Sequence, residues 1–375
     1  MRGLSIYDRL GVRRVVNARG RMTLLGGSVL PKEVFDAMAD ANRYFVDMDE
    51  LQNKAGEAVA KLLGAEDALV TAGAFSALIL GAAACMTRKD VRLMERLPDT
   101  EGMANEVVIQ RRLRVQYDRA MTVPGARLVE VGDEAGTLPS QMEEAINDRT
   151  AAIHFLAPGR EGALPLEEVL QIAKRHEVPV IVDAAGQVLP AENMRRYLAM
   201  GADLVCYGAK YFDGPNSAGL LCGRRDLVES AKMQTFVGFE SCGIRALGRG
   251  MKLDRQEIVA TVVALERWLK IDHKARLQAQ HERVERLVAQ LNTLLGVKAT
   301  AAGERLGITT SAQVSLDQEA LGVTAREAAE ALKAGNPSVW VWPTEEAFFI
   351  SADTLLDGDE QVILDRLREV LLKRG

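Results

Sequence analysis

The sequence predicts an α/β protein in which a mostly parallel, doubly wound sheet is joined to a smaller α+β domain. Between about residues 64 and 250, short apolar runs alternate with longer amphipathic ones, which is the pattern of repeated βαβ units. Beyond about residue 295 the period changes, and short strand signals interleave with two helices. The chain's 375 residues, 48 % of them apolar, are enough for about two to three domains with at least one large core.

The elements follow in order. Ala68–Thr71 reads as a strand and Gly73–Met86 as the helix behind it. Strands are then expected at Glu106–Ile109, Ala126–Val131, Ala151–Leu156, Val178–Asp183 and Asp203–Tyr207, each ending in polar, Gly or Pro residues. Pro165–His176 reads as a helix, because Leu166, Val169, Leu170 and Ala173 recur at helical spacing and Lys174, Arg175 and His176 occupy its last turn. Asp254 to Leu295 reads as two helices broken near Ile271-Asp272-His273. After it come strands at Ser311–Leu316, Val339–Trp342 and Phe348–Ala352 and helices at Thr324–Leu332 and Asp359–Leu372. The first 50 residues, with a strand at Val15–Ala18 and a helix from Pro31, are assigned to the tail domain. The expected division is a large domain over 50–255 and a small one from 1–49 plus 256–375.

Charge and composition narrow the function. Lys and Arg number 47 against 52 Asp and Glu, a net charge of −5, and only 5 % of residues are aromatic, so no nucleic-acid partner is expected. The longest small-apolar run, Ala74–Met86, is shorter than the ~20 residues needed to span a bilayer, and no secretory h-region follows Met1, so a cytoplasmic enzyme with no membrane partner is expected. Cys85, Cys206, Cys222 and Cys242 show no CxxC spacing, and the four histidines form no HExxH, which argues against a metal site. Chemistry is left to carboxylates, lysines or a bound cofactor.

Two features about 27 residues apart stand out: an apolar strand ending in Asp183, followed by Ala184-Ala185-Gly186, and a strand running through Tyr207-Gly208-Ala209-Lys210 into Gly214-Pro215. Ligands of open α/β sheets collect outside the carboxyl ends of the strands, where both residues are expected. A lysine among apolar neighbours loses its proton more readily, as a Schiff-base lysine must, and a nearby carboxylate can keep a pyridinium nitrogen protonated. Spacing alone is met equally by a helix-capping aspartate and a surface lysine. The third element is Thr71-Ala72-Gly73-Ala74-Phe75-Ser76, where small residues between strand and helix leave N–H groups free for a phosphate. Phosphate turn, aspartate and lysine in that order indicate pyridoxal 5'-phosphate.

The wording of the chain resembles the SelA-like family of fold-type-I pyridoxal-phosphate enzymes, above all its D-glucosaminate-6-phosphate ammonia-lyase group. The resemblance is carried by Val16–Gly26, Val46–Leu51, Glu95–Asp99, Asn105–Val107, Gly125–Gly132 and Arg249-Gly250-Met251-Lys252, and so spans nearly the whole chain. It implies that Lys210 is the Schiff-base lysine, Asp183 the partner of the ring nitrogen, Ala185 the small residue beneath the ring, and Ala72-Gly73-Ala74 the phosphate turn. Tyr207 stands where the family pattern has a serine able to reach the phosphate, and Leu113 where lyase-group members tend to carry a histidine. Arg19, Arg249 and Lys252 are candidates for substrate anions, each equally readable as a solvated surface cation, and Tyr117 is a further substrate-binding candidate. Asp47, Asp49 and Glu50 read as a solvated helix start or an acidic cluster facing a pocket or subunit. The implied activity is α,β-elimination from a 3-hydroxy amino acid such as D-glucosaminate-6-phosphate, giving a 2-keto-3-deoxy acid and ammonia, with racemase or aldolase activity as the alternative. A homodimer or higher homo-oligomer is implied as well.

Overall fold

The computed structural model describes residues 5–372. The chain forms two compact units, one running from Leu30 to Lys270 and the other combining the segment before Leu30 with the segment after Lys270. These divisions lie at 29/30 and 270/271, whereas 49/50 and 255/256 were expected. The difference has a local cause: helices Lys32–Ala41 and Arg255–Lys270 pack on each other within the larger unit. Arg255 Nε donates to Ala41 O at 3.2 Å and Gln256 Nε2 to Asn42 Oδ1 at 2.7 Å, so both helices stay with the sheet unit.

In chain order the strands are Val15–Asn17 (β1), Asp67–Thr71 (β2), Glu106–Gln110 (β3), Arg127–Val131 (β4), Thr150–Leu156 (β5), Val180–Asp183 (β6), Leu204–Gly208 (β7) and Gly219–Gly223 (β8). They continue as Val297–Arg305 (β9), Ile308–Leu316 (β10), Ser338–Trp340 (β11), Trp342–Pro343 (β12) and Ala347–Ser351 (β13).

The larger unit is built on the sheet β2-β8-β7-β6-β5-β3-β4. All neighbours are parallel except β8, which runs antiparallel to both β2 and β7. Every residue of β2, β3, β6, β7 and β8 is buried, as expected of strands covered on both faces. Helix Gly73–Thr87 is apolar all round and buried from Ser76 to its end, packing along β5 to β8. β8 was not anticipated: Gly219-Leu220-Leu221-Cys222-Gly223 is a short apolar run between glycines with no polar alternation to mark it.

The smaller unit holds an antiparallel sheet β12-β13-β10-β9 and a parallel pair of β1 with β11. Strand β10 buries Thr310, Ala312, Val314 and Leu316, alternate residues of one face. Helices His273–Leu291, Ala325–Ala334 and Asp359–Leu372 share one core with them. Thr324 opens the second of these with a capping box, its hydroxyl accepting from Glu327 N while Glu327 Oε2 accepts from Thr324 N. Val339–Trp342, expected as one strand, divides at Val341 between two sheets, and β9 escaped notice because among its residues only Ala299 is buried.

Candidate active site

Three strand ends at the carboxyl edge of the larger unit's sheet carry the residues singled out in the sequence. Asp183 is the last residue of β6, Lys210 follows β7 by two residues, and Thr71 closes β2 two residues before helix Gly73–Thr87 begins. Strands β6 and β7 are adjacent and parallel, with Asp183 directly opposite Cys206. The aspartate and lysine therefore belong to neighbouring strands at the edge where open α/β sheets hold ligands.

The Asp183 carboxylate is 6 % exposed, and its two oxygens differ. Oδ1 accepts the Ala185 N–H at 3.1 Å and the Cys206 thiol at 3.5 Å. Oδ2 accepts no hydrogen bond from the described residues, and so is the oxygen left for an outside donor. Lys210 is half-buried, and burial lowers its pKa from the ordinary lysine value. Its Nζ lies 4.9 Å from the Tyr211 ring centroid. The Tyr211 ring also closes on Gly208, where a built Cβ would stand 3.2 Å from ring carbon Cδ2.

The helix that starts at Gly73 has no side-chain cap, so its first-turn N–H groups have no side-chain acceptor. Gly73 adopts φ +83°, a left-handed conformation that favours glycine. Gly219, at the start of β8, comes so near that a built Cβ would stand 2.5 Å from Gly73 C and 2.6 Å from Ala74 N. The Asn216 Oδ1 is buried without a hydrogen-bond partner. An uncapped helix start, a carboxylate with one vacant oxygen and a lysine made less basic fit the phosphate, ring nitrogen and aldehyde of pyridoxal phosphate.

The remaining sequence-predicted residues fall as follows. Ala185 lies just beyond β6 and donates to Asp183. Tyr207 does not serve the phosphate turn: it is wholly buried, and its hydroxyl donates to Asn193 O at 3.4 Å, on the helix Asn193–Ala199. As a β7 residue next to Cys206 it points to the opposite sheet face. Tyr117 is exposed in the segment after β3. Arg249 is paired with Glu240 at 2.6 Å, and Lys252 is exposed. Arg19 belongs to the smaller unit, where its guanidinium lies 4.5 Å from the Trp342 and 5.9 Å from the Trp340 ring centroids, and its Nε is buried without a partner. Asp47 caps helix Met48–Leu63, accepting from Asp49 N and Glu50 N, so this acidic run is a helix start. Cys206 and His154 were missed. Nothing in the linear sequence sets them beside Asp183; the strand register does.

Among the described residues, no group of three or more His, Cys, Asp or Glu side chains is placed to hold a metal ion. Comparison with known proteins gives the lineage. The sequence pattern of the family described as "SelA: L-seryl-tRNA selenium transferase" matches residues 15–339. A "5'-C-glycyluridine monooxygenase-decarboxylase" of Streptomyces sp is 33 % identical over 98 % of this chain and 92 % of its own length. A "D-glucosaminate-6-phosphate ammonia lyase" of Salmonella typhimurium is 31 % identical over 98 % of both chains. The solved "Structure of D-Glucosaminate-6-phosphate Ammonia-lyase" superposes with a TM-score of 0.90 at 29 % identity, covering 99 % of each chain. The chain therefore belongs to the SelA family of fold-type-I, pyridoxal-phosphate-dependent enzymes.

Proposed function

We propose that this chain is a pyridoxal-phosphate-dependent ammonia-lyase that eliminates water and then ammonia from an α-amino acid carrying a β-hydroxyl, with D-glucosaminate-6-phosphate as the leading substrate. The observation that carries the reading is the joint presence, in one unit, of the half-buried Lys210, the vacant Oδ2 of Asp183 and the uncapped helix start at Gly73. The relatives named above support it, because both names denote substrates that are α-amino acids with an oxygen on the β-carbon.

Pyridoxal phosphate, when bound, supplies an electron sink for bonds broken at the substrate's α-carbon. The helix start holds its phosphate through backbone N–H groups and the helix dipole. Asp183 Oδ2 would accept from the protonated ring nitrogen and keep its proton in place. Lys210 Nζ would anchor the cofactor covalently and would serve as the base for the substrate's α-proton, a role that its lowered pKa suits. Departure of the β-hydroxyl with a proton, then hydrolysis, gives the 2-keto acid and ammonia.

For the substrate's anionic groups we assign Arg19 first. Two indoles hold its guanidinium, and no carboxylate among the described residues pairs with it, whereas Glu240 already engages Arg249. Tyr117, Arg249 and Lys252 complete the proposed substrate-binding set.

The relative named as a monooxygenase-decarboxylase favours a second reading, oxidative loss of CO2, at nearly equal identity. An assay of ammonia, 2-keto acid, CO2 and residual enantiomer on a panel of 3-hydroxy amino acids separates the possibilities. Stoichiometric ammonia and keto acid support elimination. CO2 with oxygen uptake, racemised substrate, or an aldehyde plus glycine would overturn it.

We also propose that the protein works as a cytoplasmic homodimer. Phe35, Tyr44, Phe45 and Val46 are exposed in the larger unit, with Phe45 96 % exposed, an apolar surface suited to a second copy. No cysteine is disulfide-bonded, which suits a reducing compartment, and among the described residues no helix is long and apolar enough to cross a membrane.

A further inference from the structure

Asp183 has a neighbour that the reaction outlined above does not use. The β6–β7 register pairs Asp183 with Cys206, which sets both side chains on one face of the sheet. The Cys206 Sγ lies 3.5 Å from Asp183 Oδ1, and Cys206 is wholly buried. Burial, reinforced by the Asp183 charge, pushes the thiol pKa well up, so the group stays an S–H and is the donor toward the carboxylate. A neutral donor supports the carboxylate without placing a competing charge beside it.

The other groups facing Asp183 leave that role to Cys206. His154 stands one rung back on β5, since Leu156 pairs with Asp183 and His154 with Ile181. Its two ring nitrogens are buried without hydrogen-bond partners. Burial lowers its pKa against the opposing pull of Asp183 and Asp118, with Arg114 acting in the same direction as burial, so it remains a neutral imidazole. Cys222, another buried thiol, pairs with Val205 and so lies on the opposite face of the sheet from Asp183. The donors to Oδ1 are thus one backbone N–H and one thiol.

We propose that Cys206 is a positioning residue for Asp183: its thiol fixes Oδ1, so that Oδ2 is the oxygen presented to the cofactor's ring nitrogen. This rests on the assignment of Asp183 made under the proposed function. A side chain of the same bulk without a donor, such as valine, would fill the space and leave Oδ1 held by the Ala185 N–H alone, loosening the carboxylate about its Cβ–Cγ bond.

The test compares the wild type with Cys206→Val, Cys206→Ala and Cys206→Ser, each as the full chain loaded with pyridoxal phosphate. Three quantities are read: the cofactor dissociation constant by equilibrium dialysis, the pH midpoint of the visible absorption band, and kcat and KM separately. Losing a donor to a carboxylate predicts about 5–10-fold weaker cofactor binding, a displaced pH midpoint and a roughly tenfold lower kcat at unchanged KM in the valine and alanine variants. The serine variant, which keeps a donor, should recover to within about threefold. A purely packing role would lower Tm in the alanine variant while leaving the valine variant's midpoint and dissociation constant at the wild-type values, and that result overturns the proposal. A wild type that binds no pyridoxal phosphate overturns the Asp183 assignment itself, and this inference with it.

Discussion

Arg21 grips Asp353 with two nitrogens inside the smaller unit, Nε at 3.0 Å from Oδ2 and Nη2 at 3.3 Å from Oδ1. Arg305 Nη1 at 3.4 Å and Arg276 Nη1 at 3.6 Å share the same carboxylate, whose side chain is 1 % exposed. Burial alone would raise the Asp353 pKa, but the three guanidiniums outweigh it and hold the value at about 2. One carboxylate thereby ties the N-terminal segment, helix His273–Leu291, β9 and the turn after β13 into one unit.

That ion cluster has a pH signature. Its folded pKa lies below the ordinary aspartate value of 3.8, so its stabilisation is fully present above about pH 4 and is lost as pH falls toward 2. The linked contribution is about 2 kcal/mol, and Asp353→Asn, which leaves three arginines around a neutral amide, should cost about 3–5 kcal/mol. Urea unfolding at pH 7 and pH 3 checks both: the variant should be less stable at pH 7, and the gap should narrow at pH 3.

Asp183→Asn removes the charge proposed to keep the ring nitrogen protonated while preserving shape. Cofactor should still bind, but kcat should fall by about 10²–10⁴. Steady-state ammonia release measures it. Near-wild-type turnover would remove Asp183 from the mechanism.

Gly219→Ala tests the close approach of β8 to the helix start. The new Cβ would meet Gly73 C at 2.5 Å and Ala74 N at 2.6 Å, both backbone atoms, so strand and helix must separate. Overpacking of this kind costs about 1–3 kcal/mol. Cofactor affinity should drop as well, because Ala74 N belongs to the proposed phosphate turn. Thermal melts with and without pyridoxal phosphate should show a smaller cofactor-induced rise in Tm than for the wild type.

The exposed aromatic segment predicts assembly. Light scattering should give about twice the 40.9 kDa chain mass, and Phe45→Glu should shift the population toward the monomer. A wild-type species of one chain mass would contradict the dimer.

Much of the larger unit was legible because buried parallel strands are written as contiguous apolar runs, and the helix Gly73–Thr87 and the break between the two helices at 271–272 are local features. The placement of Lys210, Asp183 and the helix start at Gly73 along one sheet edge was legible for the same reason, since each directly follows or ends such a run. Strand register is not local. It places Cys206 beside Asp183 and turns Tyr207 to the other sheet face, where its hydroxyl meets Asn193, and no count along the chain distinguishes those two adjacent residues. The partners of Arg249 and Arg19 were hidden likewise, because Glu240 and Trp342 are neighbours in space whose relation depends on loop paths.

The covalent role of Lys210 is the centre of the account, and borohydride reduction followed by peptide mass mapping tests it most directly. Loaded protein treated with borohydride should carry a reduced pyridoxyl phosphate on the peptide containing Lys210, and the Lys210→Ala variant should carry none and show no absorption at about 400–430 nm. A label on any other lysine, or an unlabelled wild type after loading, would contradict it.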